Sequence, residues 1–392
     1  MTELIASAEP GLMRSSERPT YDRKAIGLCL SGGGYRATLF HTGVLLRLNE
    51  FGLLSKISRI SSVSGGSITS AILAMNWDQL GYSAPGDICP PDTIHRALVE
   101  PVLKVTSTTL DVSGGLLGLL PWKSAGNVLA DKYDDVLFGG KLLSELTRAK
   151  PCPKFIFNAT NLQTGGSFRF TRDYVADSRA LFSTDHGARL AEAVAASSAF
   201  PPVLSPLRLD LRGRDVEIPP WVEPDSPFAD PELRKRPVLI DGGVYDNLGL
   251  ESIWKNCGVL IGSYSGYNNK PQPSNFNFDH LMTTIEIFLA SSIDWRERTL
   301  INLFENVLAD RLPERVGTYW TAQTRIDDFD VHAPWDPEDP IFAAALASPT
   351  RLKALKKTDQ TPVIQAGYAF ADAGVRTWLM PEAPAATGAP MI

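Results

Sequence analysis

Along this 392-residue chain the apolar residues come in short runs, and glycine, proline and serine punctuate them. Residues 24–30 read Lys-Ala-Ile-Gly-Leu-Cys-Leu, a run suited to a strand covered on both faces. It ends in Ser31-Gly32-Gly33-Gly34-Tyr35-Arg36-Ala37, and residues 38–51 then have the apolar content of a largely buried helix. Leu53, Leu54 and Ile57 lead to a second run, residues 59–63, closed by Ser64-Gly65-Gly66. Residues 68–75 follow as a helix of small and apolar side chains. Strand, glycine loop, helix, strand, serine turn, helix is an alternation that implies a mostly parallel sheet with helices on both faces.

The later pattern is less even. Residues 76–150 are broken by Pro85, Pro90, Pro91 and Pro101, and residues 112–122 form an apolar, glycine-rich stretch that reads as a lid, a lipid-contacting loop or a buried loop. Residues 131–138 and 142–148 suggest short helices. Residues 154–161 predict a core strand, Gly165-Gly166 a turn, and residues 167–171 an alternating hairpin partner. Residues 190–199 form a helix of Ala and Ser, stopped by Phe200-Pro201-Pro202 and explained by close packing alone. A polar excursion over residues 208–236 precedes the buried strand 237–240, which delivers Asp241-Gly242-Gly243, and residues 259–262 suggest one more strand. Residues 281–295 and 298–312 predict two amphipathic helices, 327–340 a loop, and 349–357 and 365–379 closing helices. The expected organisation is a flexible lead over 1–22 and one domain over 23–380. That domain carries a cap or lid insertion at 76–150 and a helical portion at 270–380, and a frayed tail follows at 381–392.

Composition narrows the class. With 44% hydrophobic and 21% charged residues the chain is ordinary globular protein. A net charge of −6 and the lack of any Lys/Arg block exclude a nucleic-acid binder and argue against docking on membranes through bulk positive charge. Cys29, Cys89, Cys152 and Cys257 are too scattered for a zinc site and read as free thiols. No ligand cluster calls for a metal or other cofactor. The first 19 residues lack a signal-peptide pattern and no run of 18 apolar residues occurs, so the expected location is cytoplasmic. Lipid remains open as a substrate.

Three short stretches carry candidate chemistry. Ser62-Val63-Ser64-Gly65-Gly66, between strand and helix, has the shape of a nucleophile elbow, in which a strained turn lifts a serine hydroxyl clear of the backbone. An ordinary Ser/Gly turn is the alternative. The Gly32-Gly33-Gly34 loop lacks the last glycine of a dinucleotide fingerprint and the Gly-Lys-Ser/Thr of a phosphate loop. An oxyanion hole of backbone amides and a plain tight turn both remain. Asp241 sits at the tip of a buried strand, where α/β sheets place chemistry, or is a turn residue bonded to its own backbone. Among five histidines, His41, His95, His186, His280 and His332, none lies in a setting that presents it to an elbow. A Ser64–Asp241 dyad is therefore favoured over a triad. A free aspartate, with a pKa of about 3.9, is a weak base; apolar walls would raise that value and N–H donors would lower it.

These stretches resemble the patatin-like phospholipases. The glycine loop is similar to that family's Gly-Gly-Gly-x-Arg/Lys-Gly segment, Ser62–Gly66 to its Gly-x-Ser-x-Gly elbow, and Asp241-Gly242-Gly243 to its Asp-Gly-Gly/Ala element. Residues 196–202 and 158–162 resemble two further recurring blocks, and together the blocks span about residues 24–265. Ala37 and Ser62 replace family glycines. The resemblance implies a three-layer α/β/α fold with a mostly parallel sheet and a helical C-terminal portion. It implies a serine ester hydrolase of phospholipase A or lysophospholipase type acting on phospholipid or another lipid ester, with transient membrane-surface contact and oligomerisation left open. Ser64 would be the nucleophile and Asp241 the base; Gly32, Gly33 and Gly34 would form the oxyanion hole. Ser62, Gly65 and Gly66 would build the elbow and Gly242 and Gly243 the acid loop. Arg36 would position the loop or a head group, with a structural salt bridge as the alternative. A signal-activated or catalytically weak lipid-binding effector on the same fold is the second functional reading.

Overall fold

The computed structural model describes residues 21–111, 124–220, 222–266, 277–305, 315–390 and 392. Nearly all of the predicted lead and the whole 112–122 stretch lie outside them. The described strands are β1 (Asp22–Leu30), β2 (Ile57–Val63), β3 (Lys154–Asn161), β4 (Gly166–Phe170), β5 (Val175–Asp177), β6 (Leu181–Ser183), β7 (Leu207–Arg208), β8 (Val238–Asp241), β9 (Cys257–Tyr264) and β10 (Val316–Thr321). The helices that matter for the site are α1 (Gly34–Glu50), α2 (Gly65–Met75), α3 (Ala125–Tyr133), α4 (Leu190–Ser197), α5 (Asn277–Glu305), α6 (Pro340–Ala347) and α7 (Lys357–Trp378).

One sheet runs in the order β10-β9-β1-β2-β3-β4-β5-β6. Its first five strands are mutually parallel, and β4, β5 and β6 continue as an antiparallel meander. Successive residues of β1 face opposite sides: Leu28 and Leu30 join the main core, whereas Cys29 joins a second core with Leu248, Leu260, Ile293 and Leu300. Helices α1, α2 and α7 supply the first core and α5 the second, which makes three layers, α/β/α. Helix α7 lies against α1 because glycines remove side chains at the crossing. A Cβ on Gly43 would sit 1.8 Å from the Ile364 carbonyl oxygen, and one on Gly367 would sit 1.9 Å from that of Phe40. A buried carboxylate locks the pair. Asp372 accepts from Arg47 (2.6 Å) on α1 and from Arg376 (2.8 Å) on its own helix.

β8 has an unusual placement. β2 pairs with residues 154–158 of β3, and β8 pairs antiparallel with residues 159–161 along the same edge. Val63 is opposite Asn158 and Asp241 is opposite Ala159. Two strands running toward each other therefore end tip to tip on consecutive residues of β3.

The C-terminal portion is helical, with one strand the pattern missed: β10 extends the parallel sheet beside β9. Where two amphipathic helices were expected, α5 runs unbroken to Glu305. The closing helix expected over 365–379 is α7, which begins earlier, at Lys357; the one expected over 349–357 is absent and α6 lies before it, where Asp339 caps the helix by accepting from the Ile341 amide and Pro340 occupies the first helical position. Residues 142–148 contain only the single turn Leu143–Glu145. The expected frayed tail is tied down at two points. Arg47 donates to the Pro384 carbonyl (2.7 Å) and the Ala386 amide donates to Asp372 (3.1 Å). Among the described residues no helix is long and apolar enough to cross a membrane.

Candidate active site

β1 and β2 are neighbours, with Leu30 in register with Ser62, so the loops that follow them emerge side by side at the C-terminal edge of the sheet. Ser64 has φ 49° and ψ −118°, and no other non-glycine residue among the described ones has positive φ. Such a conformation costs about 1–3 kcal/mol and persists only where neighbours enforce it. Here the Ser64 amide donates to the Ser197 carbonyl (3.1 Å) and hydroxyl (2.9 Å), while the Ser64 carbonyl accepts from the amides of Ser67 and Ile68 and so starts α2. Ser67 Oγ donates to Ser62 Oγ (3.0 Å) and meets Ser197 Oγ (2.9 Å), and Ser62 Oγ donates to the Ile156 carbonyl. Serine at position 62 thus belongs to a buried hydroxyl network that braces the turn. Ser61, Ser62, Ser67 and Ser197 are fully covered, whereas Ser64 keeps 9% of its surface exposed.

The glycine loop abuts this turn. Gly33 (φ 135°) and Gly34 (φ 55°) hold conformations that side chains resist, and a Cβ on Gly65 would lie 2.0 Å from the Gly34 carbonyl oxygen. A Cβ on Gly66 would lie 2.5 Å from the Leu30 carbonyl oxygen, so both elbow glycines serve close approach. Gly33 and Gly34 N–H have no acceptor among the described residues. The Gly32 amide differs from expectation: it donates to the Asn247 carbonyl (3.1 Å) and is not available to an oxyanion. A Cβ on Gly32 would come within 2.2 Å of Asn247 Oδ1 and 3.2 Å of Ser64 Cβ, which shows how tightly loop, elbow and residue 247 meet.

Asp241 closes the constellation. Its carboxylate is buried, accepts from the Gly243 amide (2.7 Å) and lies close enough to the Ser64 hydroxyl for that donor to pull its pKa down. Burial raises its pKa from 3.8 to about 7, against the opposing pull of the Gly243 and Ser64 donors. Gly242 and Gly243 turn the chain past it, and a Cβ on Gly242 would strike the Asn158 carbonyl oxygen at 2.2 Å. Asn158 itself donates to Ser61 Oγ and to the Ser62 carbonyl and accepts from Ser252, tying β2, β3 and the segment beyond Asp241 together.

Arg36 reaches neither Ser64 nor a carboxylate among the described residues. Its guanidinium, 1% exposed, donates to the backbone carbonyls of Leu346, Ser348 and Gly266. These contacts anchor the glycine loop to the C-terminal segment; they are neither a salt bridge nor a head-group contact. Desolvation lowers its pKa to about 10. His41 is buried within α1 between the Ser31 carbonyl (3.0 Å) and Ser263 Oγ (3.0 Å), and burial holds it neutral with a pKa of about 3. It supports the loop from behind. No group of three or more His, Cys, Asp or Glu side chains among the described residues is placed to hold a metal ion.

Sequence reasoning missed Ser197, Asn158 and Asn247. The serine at the end of the Ala-rich α4 was read as packing; two adjacent serines at the end of an otherwise apolar helix were the available signal. For Asn247 no local signal exists, because its role is a backbone contact made across the fold.

The family model for patatin-like phospholipases matches residues 28–254, which holds Ser64, Asp241 and the glycine loop. Human GIVD cytosolic phospholipase A2 has a similar fold, at 15% identity and a TM-score of 0.51 over 94% of this chain and 63% of that one. The same human protein in complex with methyl gamma-linolenyl fluorophosphonate matches at 14% identity and a TM-score of 0.51, over 92% and 58% of the two chains. A 51-residue stretch is 41% identical to "Putative meiotic phospholipase SPO1" of Saccharomyces cerevisiae, covering 13% of this chain and 8% of that protein. The chain thus spans less than two thirds of the length of these relatives.

Proposed function

The chain belongs to the patatin-like phospholipase family, and from that premise we propose that it is a lipid acyl hydrolase of phospholipase A or lysophospholipase type using a Ser64–Asp241 dyad. The supporting observation is the Ser64 hydroxyl, on a strained turn, beside a buried carboxylate whose pKa is raised to about 7. A base with a pKa near the working pH combines the correct ionisation with useful proton affinity. Ser64 Oγ attacks the ester carbonyl carbon as its proton passes to Asp241. The carbonyl oxygen, now negative, is held by the amides of Gly33 and Gly34 with the N-terminus of α2 beside it. The alcohol leaves with the proton from Asp241. Water, deprotonated by the same carboxylate, then releases the fatty acid from Ser64.

Contact with a membrane surface is part of the proposal. Ile287, Phe288 and Trp295 on α5 are 59%, 71% and 69% exposed, and spacings of seven and eight place them on one helical face. That helix is tied to the turn beyond Asp241, because Arg296 pairs with Asp246 (2.9 Å) and donates to the Tyr245 carbonyl (2.7 Å). An aromatic and aliphatic face next to the catalytic loop suits the interfacial region of a bilayer. The proposed location is cytoplasmic, with reversible attachment to membranes.

The test is covalent labelling with a fluorophosphonate read by mass spectrometry, together with hydrolysis of a p-nitrophenyl ester and of phospholipid vesicles. Label is expected on Ser64, with both activities lost in Ser64→Ala and Asp241→Asn. Hydrolysis that survives Ser64→Ala removes the nucleophile assignment, and binding to vesicles without turnover favours the effector reading.

A further inference from the structure

A cavity of about 670 Å³ opens at the end of the sheet opposite Ser64, where β1, β2 and β3 begin. Ser58 and Arg59 of β2 line it, and at about 3.3 Å per residue the six steps from Ser58 to Ser64 span roughly 20 Å. It is not part of the site described above. Six cationic side chains line it, Arg59, Arg148, Lys150, Lys154, Arg172 and Lys255, against the carboxylates of Asp22 and Asp173. This concentration occurs in a chain whose net charge is −6.

Arg59 and Lys154 are register partners on adjacent parallel strands, which sets two cationic side chains on one face of the sheet at the cavity. Arg172 is paired with Asp173 (2.8 Å) and Lys255 with Glu251 (3.4 Å). Arg148, Lys150 and Lys154 have no carboxylate within ion-pair distance among the described residues; Lys154 Nζ lies over the Tyr174 ring at 4.5 Å. The volume falls within the range of about 300–1,000 Å³ usual for small-molecule sites. Guanidinium forks combined with ammonium groups suit phosphate oxygens, which accept several charge-assisted hydrogen bonds at once. We propose that this cavity binds an anion bearing two or more phosphates, supplied either as a free small molecule or as the head group of a lipid. The inference is independent of the ester chemistry, because the site is elsewhere and its readout is binding.

The full chain is titrated with inorganic tripolyphosphate by calorimetry and thermal unfolding, and sedimented with phosphatidylcholine vesicles with and without a phosphatidylinositol bisphosphate. Arg148→Glu/Lys150→Glu alters two exposed side chains; its melting temperature without ligand reports whether it folds. A control, Arg325→Glu/Lys353→Glu, makes the same charge change outside the cavity. Saturable binding is expected, with a rising melting temperature and an affinity that falls with salt. It should weaken by roughly tenfold or more in the cavity variant and be retained in the control. Binding of tripolyphosphate identifies a free ligand, and binding of bisphosphate vesicles alone identifies a head group. Failure of both probes to bind, or equal weakening in the two variants, overturns the proposal.

Discussion

Replacing Asp241 with Asn should stabilise the protein at neutral and alkaline pH. In the fold the Asp241 pKa rises from 3.8 to about 7, with burial as the largest cause. Below pH 3.8 the carboxyl is neutral in both folded and unfolded chains and contributes nothing to pH dependence. As pH rises toward 7 the unfolded chain releases its proton while the folded chain retains it, so the fold is progressively penalised. Above 7 the penalty is complete and constant. A gap of about 3 pH units at 1.36 kcal/mol each gives about 4 kcal/mol as its upper size. Asn keeps the shape and an acceptor for the Gly243 amide but never ionises. Urea denaturation of wild type and Asp241→Asn at pH 5 and pH 8 measures the difference: the variant gains stability relative to wild type between the two pH values by up to about 2.5 kcal/mol, the first part of the penalty having accrued below pH 5. The same ionisation should make kcat/KM rise with pH to a plateau with a midpoint near 7. A stability difference that does not change with pH, or a variant that loses ground at pH 8, refutes the reasoning.

Three further outcomes follow from the geometry. Ser64→Gly and Ser64→Ala both remove the hydroxyl, but only glycine relaxes at φ 49°, so the Gly variant should be the more stable by about 1 kcal/mol in denaturant titration, the reverse of the usual order. Gly65→Ala pushes a methyl toward the Gly34 carbonyl oxygen; hydrolysis should fall on the order of 10²-fold, with a stability loss of about 1–3 kcal/mol, and unchanged kinetics would show that the loop and elbow need not touch. Asp372→Ala leaves Arg47 and Arg376 buried with no shared carboxylate, and should cost about 3–5 kcal/mol by thermal or chemical unfolding.

How much was legible in the sequence differs from element to element. β3 was predicted at its observed bounds because an apolar run flanked by proline and a Gly-Gly turn has few other solutions. The glycine loop, the elbow and Asp241 were legible because each needs small residues in a fixed local order. Helix ends in the C-terminal portion were not, since α6 starts at a proline and a capping Asp that sat inside an acidic, proline-rich stretch. For Arg36 the sequence offers loop positioning, a head-group contact or a salt bridge; its anchoring of the loop through three carbonyls of distant segments has no local signature that selects among them.

From the sequence alone came the residue types and local shapes: a hydroxyl on a strand-to-helix turn, amides freed of side chains, a carboxylate at a strand tip. Only tertiary structure decided that they meet. β8 comes in against β3 from the direction opposite to β2, so Val63 and Asp241 stand opposite consecutive residues, Asn158 and Ala159. Tertiary structure also decided that Gly32 gives its amide to Asn247 and leaves Gly33 and Gly34 open. Periodicity carries what each stretch can form by itself; the pairing of strands far apart in the chain depends on register, and register depends on which distant backbone completes the hydrogen bonds.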